Sequence, residues 1–232
     1  MKNRRSFIKK STLSLAGITF LNSISAKSYR KIIGSNERIN IAFQGLGRRI
    51  PGLMSGALAY KNIEVSYLCD VMDNQIKKAS ERYFNLTGKT TKSEKNIHRI
   101  FEDKDVDAII MATPDHWHAY GACKAMESGK HVYLEKPCSH NMNESDLLVD
   151  YQNYFKKVVQ MGNQQRSSPH TIELMQKIKD GEIGKTYKAT AFYHSNRPRV
   201  PNQVLASVPQ GLNWNLFHCL LYTSDAADEG WC

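Results

Sequence analysis

The stretch Arg38-Ile39-Asn40-Ile41-Ala42-Phe43-Gln44-Gly45-Leu46-Gly47-Arg48-Arg49-Ile50 decides the fold. A short apolar run that meets glycine at once reads as a buried parallel strand. Ile50, Leu53, Met54, Ala57 and Leu58 then recur at helical spacing. Gly45 and Gly47 permit a tight turn and close backbone approach to a diphosphate, and a helix N-terminus behind them supplies free N–H donors. The third fingerprint position holds Ile50 instead of glycine, so the helix is expected to sit further from the strand. Alone, this partial motif also describes an ordinary strand-to-helix turn.

Its surroundings extend the pattern. Ile63 to Cys69 is a second strand, ending at Asp70. There an acid can accept hydrogen bonds from an adenosine ribose and repel a 2′-phosphate, favouring NAD over NADP. The alternative for Asp70 is a helix N-cap. Arg48 and Arg49 lie near the phosphates and weaken that preference, so NADP stays open. Gln75 to Phe84 is a helix, and Asn85 to Asn96 a polar loop holding at best a poor third strand. Val106 to Thr113 is the clearest buried strand, Tyr120 to Ser128 a helix closed by Gly129, and His131 to Leu134 another strand. Glu144 to Lys157 is helical and Val158 to Met161 is a further strand. Strands alternating with helices imply an α/β, doubly wound parallel sheet of Rossmann type over residues 38–165. Pro169 to Asp180 reads as one more helix and Gly184 to Tyr193 as the first strand of something new. His194 to Phe217, with Pro198, Pro201 and Pro209, reads as an extended crossing segment.

The ends have their own signals. Arg4-Arg5-Ser6-Phe7-Ile8-Lys9-Lys10 precedes an uncharged apolar run, Ser11 to Leu21, and the small residues Ser23 to Ala26. This describes a secretory signal over residues 1–26, too short to span a bilayer, and the arginine pair resembles a twin-arginine export signal. A basic amphipathic arm is the alternative. Residues 27–37 read as a linker. Export of a folded protein would carry a bound cofactor out of the cytoplasm, so the expected location is periplasmic.

Half of the net charge of +10 is this leader. Five basic residues lie in the first ten positions and no acid precedes Glu37, so the remainder carries +5. No basic stripe with interleaved aromatics follows, which argues against a nucleic-acid partner. The five cysteines form no CxxC pair and no His/Cys grouping has zinc spacing; they read as small buried hydrophobes, with no metal site.

Two further motifs sit at the C-terminal ends of strands: Thr113-Pro114-Asp115-His116-Trp117-His118 and Glu135-Lys136-Pro137. With Gly162-Asn163-Gln164-Gln165-Arg166 they resemble the glucose–fructose oxidoreductase/inositol dehydrogenase (Gfo/Idh/MocA) family, from Arg38 to roughly Phe217. The resemblance implies an NAD(P)-dependent oxidoreductase acting on a secondary alcohol of a sugar, polyol or glycoside. It implies that Lys136 is catalytic and that Thr113, Pro114, His118 and Glu135 join Gly45, Gly47 and Asp70 around the cofactor. Pro137 biases Lys136 towards extended backbone, and partial burial beside a nicotinamide cation would make its amine a useful proton partner. A surface lysine paired with Glu135 is the alternative. His116 reads equally as a contact or a surface residue, and Trp117 as packing.

The family continues into an open, mostly antiparallel sheet domain carrying an Asp…His pair, which also implies self-association through that sheet. Residues 166–217 would be the start of this α+β domain, left incomplete. Residues 218–232 carry no family pattern and read as a truncated gene model or foreign sequence, with a native short form as the alternative. Two rival functions stay open: NAD-dependent glycoside cleavage, against which the intact Glu-Lys-Pro tilts, and a non-catalytic sugar-binding or scaffolding protein.

Overall fold

The computed structural model describes residues 37–192 and 207–218. The leader, nearly all of the linker, most of the crossing segment and nearly all of the tail lie outside these residues. The elements in chain order are β1 (Ile39–Gln44), α1 (Ile50–Leu58), β2 (Ile63–Cys69), α2 (Asp73–Thr87), β3 (Lys92–Glu94) and α3 (Ile97–Glu102). Then come β4 (Ala108–Met111), α4 (His118–Glu127), β5 (His131–Glu135), α5 (Met142–Phe155), β6 (Val159–Gly162), α6 (Pro169–Lys179) and α7 (Trp214–His218). The six strands form one parallel sheet in the order β3-β2-β1-β4-β5-β6. This is the doubly wound order, in which direction reverses between β1 and β4, opening a crevice beyond their C-terminal ends.

Alternation along the strands sorts the core into two layers. Ile41, Phe43, Val65 and Leu68 face α1 and α2, where Ile50, Met54, Ala79 and Tyr83 close over them. Ala42, Ile109, Met111, Val132 and Leu134 face the other side, against Ala122, Ala125 and Met126 of α4, Leu148 of α5 and Ile100 and Phe101 of α3. Side chains such as Phe43, Leu68 and Ile109 are fully buried, each worth roughly 1.5–3 kcal/mol.

Local signals fix the ends. Gly88 closes α2 with φ +66°, its N–H donating to Phe84 O at 2.7 Å. Asn141 Oδ1 accepts from Glu144 N–H while the Glu144 carboxylate accepts from His140 N–H, a reciprocal cap on α5.

The poor third strand allowed for after α2 is present as the three-residue β3 at the sheet edge. Three expectations need correction. The helix α2 starts at Asp73 and runs on to Thr87. Gly184 to Phe192 is not a strand. Every residue from 181 to 192 is exposed and no described strand pairs with them, so the ladder that defines a strand is missing. Residues 214–217, assigned to an extended crossing, begin a helical turn in which Asn213 Oδ1 accepts from Leu216 N–H.

Candidate active site

The glycine turn is shaped from below. Gly45 has φ +79°, and a Cβ there would lie 2.6 Å from Thr113 N and 2.7 Å from Ala112 C and O. Its glycine is demanded by contact with the end of β4, inside the protein. Gly47 differs: nothing lies within 4 Å of the Cβ it lacks, so its open side faces the crevice. Ile50, in place of the third glycine, is 1% exposed and fills the contact between α1 and the sheet.

Asp70 holds this turn. Its Oδ2 accepts from Leu46 N–H at 2.6 Å and its Oδ1 from Met72 N–H at 2.9 Å. The N-cap position of α2 belongs to Met72, so Asp70 is not that helix's cap residue. Burial raises its carboxyl above the ordinary aspartate value, with the Leu46 and Met72 N–H groups pulling back. A carboxylate has about four lone-pair sites, so these backbone bonds still leave room for a ribose hydroxyl.

Two cavities lie side by side over the switch point. One, of about 470 Å³, is lined by Gly45, Gly47, Asp70, Pro114, Trp117 and Phe217 among others. The second, of about 410 Å³, is lined by Arg48, Arg49, His118, Glu135, Lys136 and Gln164. Ala112 and Thr113 border both. The crevice therefore brings together the residues expected to be catalytic or cofactor-binding: Gly45, Gly47, Asp70, Thr113, Pro114, His118, Glu135 and Lys136. Gln44 Oε1 and Thr113 Oγ1 are buried there without a hydrogen-bond partner. Buried polar atoms are normally satisfied, so two orphans on the floor of one crevice fit a polar ligand. With the open Cβ side of Gly47 and the acid at the end of β2, the residues fit a dinucleotide.

The far end carries the titratable groups His118, Glu135 and Lys136. His118 is 1% exposed; one ring nitrogen contacts Thr113 O at 2.9 Å and the other Pro137 O. It thus pins the Lys136–Pro137 turn to the end of β4, and that peptide bond is cis. Lys136 lines the second cavity but is exposed, so the expected partial burial does not hold among the described residues. Its loop simply leaves the sheet edge with nothing described above it. Lys136 is not paired with Glu135. That carboxylate is buried, and takes Arg49 Nε at 2.8 Å and Gln164 Nε2 at 2.7 and 2.9 Å.

Other side chains close the first cavity. Trp117 packs in the core, and its Nε1 donates to Leu216 O and Phe217 O at 3.0 and 3.1 Å. His116 lines neither cavity; its Nε2 donates to Phe217 O at 2.8 Å, holding the segment that borders the first one. On the opposite side Asn213 N–H donates to Val71 O and Asp73 N–H to Gly211 O. Residues 211–217 are thereby strapped from the β2–α2 turn to the turn after β4. Cys69 is buried at the same cavity and its thiol is pushed far up by desolvation; Cys123 is pushed up to about 11. Neither is set up as a nucleophile. Sequence reasoning missed Gln44, whose signal is a polar residue closing an apolar strand. It also missed the strap and the grip on Arg49, which depend on distant parts of the chain.

The family profile described as an oxidoreductase family with an NAD-binding Rossmann fold matches residues 39–163. The chain belongs to the Gfo/Idh/MocA oxidoreductase family. Curated relatives include a glycosyl hydrolase family 109 protein of Shewanella pealeana, 26% identical over 208 residues, covering 82% of this chain and 46% of the relative. An inositol 2-dehydrogenase of Salmonella typhimurium is 27% identical over 172 residues, covering 74% and 47%. The chain thus spans about half the length of the curated relatives it matches. Among solved structures, the WlbA dehydrogenase from Chromobacterium violaceum, in complex with NADH and UDP-GlcNAcA, is 26% identical with a TM-score of 0.55, covering 63% of this chain and 41% of that one. The myo-inositol 2-dehydrogenase of Lactobacillus plantarum (23% identity, TM-score 0.57, coverage 64% and 43%) shows the same fold.

Proposed function

We propose that this chain is the dinucleotide-binding part of an NAD(P)-dependent oxidoreductase that oxidises a secondary alcohol of a sugar, polyol or glycoside. The observation that carries this is the single crevice with Asp70 at one end, Lys136 at the other and the open side of Gly47 between them. Asp70 would hold the adenosine ribose, Gly47 and the start of α1 the diphosphate, and Thr113 and Pro114 the span between. When bound, the nicotinamide supplies a hydride acceptor. Lys136 would orient the alcohol and take its hydroxyl proton, while His118 keeps the Lys136–Pro137 turn against β4.

Similarity to glycosyl hydrolase family 109 proteins over 82% of the chain favours a second reading, NAD-dependent glycoside cleavage. The two part on one measurement: oxidation accumulates NADH in step with substrate consumed, whereas cleavage releases a sugar and leaves the NADH level unchanged. A screen of polyols, free sugars and aryl glycosides with the complete gene product tests both. If neither NADH nor cleaved sugar forms although NAD binds, the binding-protein role would replace them.

The location is part of the same proposal. Arg4-Arg5 and the apolar run after it support export by the twin-arginine route to the periplasm. Among the described residues no helix is long and apolar enough to cross a membrane. Self-association through the family's C-terminal sheet is the assembly we expect.

A further inference from the structure

Arg49 ends the glycine turn and occupies the N-cap position of α1, which offers no side-chain cap of its own. Its guanidinium reaches across the crevice to Glu135, 86 positions later at the end of β5. Tyr133, two residues earlier on the same face of β5, lies beside the same guanidinium. Behind them Gln164 Nε2 holds both carboxylate oxygens of Glu135 and also donates to Gly162 O at 2.9 Å. Gly162 leaves the room this needs, because a Cβ there would meet Tyr133 Oη at 2.4 Å.

A 7%-exposed carboxylate pinned by a glutamine is an unusual amount of machinery for a surface arginine. The ion pair uses only Nε of the five guanidinium N–H donors, and with Tyr133 engaging the group as well, donors are still left over for a ligand. Arg49 borders the second cavity two residues after Gly47, whose open side faces the first. A guanidinium is suited to paired phosphate oxygens, and one already oriented loses less freedom on binding.

We propose that Arg49 is a binding residue for the dinucleotide's diphosphate, and that Glu135, with Gln164 behind it, is the positioning residue that aims it. This rests on the dinucleotide reading above. It also reassigns Glu135, which touches the cofactor only through Arg49.

Charge arithmetic and positioning predict opposite signs, which makes the proposal testable. Removing the negative charge of Glu135 would strengthen anion binding if Arg49 were merely a nearby cation. If Glu135 aims it, removal weakens binding. The test is calorimetric titration of the purified chain and its variants with NADH and with adenosine, which lacks the diphosphate, alongside thermal melts. Arg49→Met should weaken NADH binding about tenfold or more, the scale of a lost charge-assisted contact, and leave adenosine binding unchanged. Glu135→Gln should also weaken NADH. Gln164→Leu, which leaves every charge in place, should do so by a smaller factor and serves if Glu135→Gln does not fold. Unchanged NADH affinity in Arg49→Met, tighter NADH binding in Glu135→Gln, or equal losses for NADH and adenosine would each overturn it. A wild-type chain that binds adenosine but gains nothing from the rest of NADH would overturn the dinucleotide reading as well.

Discussion

Asp70 ties two turns of the fold together, and on the proposed reading it also meets the cofactor. Its carboxylate stitches the glycine turn to the β2–α2 turn, and burial raises its carboxyl above the ordinary value of 3.8. A raised folded-state value means stability from this group is full below the unfolded value and declines as pH rises through the folded one. Asp70→Asn should therefore flatten that slope in urea unfolding measured across the acid range. The same carboxylate, when ionised, repels a 2′-phosphate. NADH should bind at least several-fold more tightly than NADPH at pH 7.5, and the gap should narrow as pH falls towards the raised carboxyl value. In Asp70→Asn the gap should be small throughout; a gap that survives the substitution would remove Asp70 from cofactor choice. Lys136 is the second residue to test, in the complete gene product. Lys136→Met should lower turnover about 10²–10⁴-fold, the usual worth of a positioned acid/base group, with NAD affinity little changed. Lys136→Arg should not rescue it, because guanidinium keeps its proton. Near-normal turnover would return Lys136 to the surface.

Among the elements, legibility followed periodicity and burial. β2 reads from the sequence with its observed ends, because an apolar run stops abruptly at an acid. β3 is nearly invisible: Lys92, Ser93 and Glu94 are polar, and what makes them a strand is pairing with Tyr67, Leu68 and Cys69. Gly184 to Phe192 shows the converse, β-prone residues with no partner strand among the described residues. Glycine meaning was half legible too. Gly45 and Gly47 look equivalent in the motif, yet one meets β4 and the other meets open space. Gly45→Ala should then cost at least about 2 kcal/mol in urea unfolding, from left-handed backbone strain and overlap with β4. Gly47→Ala should cost less stability and more dinucleotide affinity. Equal stability losses would contradict this division. Pairings such as Arg49–Glu135 have no local signature, since only the closed sheet brings β1 and β5 loops together.

For the whole molecule, the order of motifs carried the family: strand ends at Asp70, Thr113 and Lys136 converge because every strand is parallel and points the same way. Parallelism is what turns separate stretches of sequence into one crevice. The proposed leader makes a prediction at this scale. Replacing Arg4-Arg5 by Lys-Lys should leave precursor in the cytoplasm on fractionation, whereas the unaltered protein should be exported; indifference to the pair would mean the general secretory route or no export.

The strap over the first cavity gives the molecule a history. Leu216 fastens to Trp117, a residue the ribosome made 99 positions earlier. A nascent chain that has just completed its sheet therefore presents a half-built crevice, with the Leu212, Leu216 and Phe217 side still to come. A dinucleotide meeting the chain during translation would lack the contacts of that side, so the first cavity gains its full lining only once Phe217 has been made.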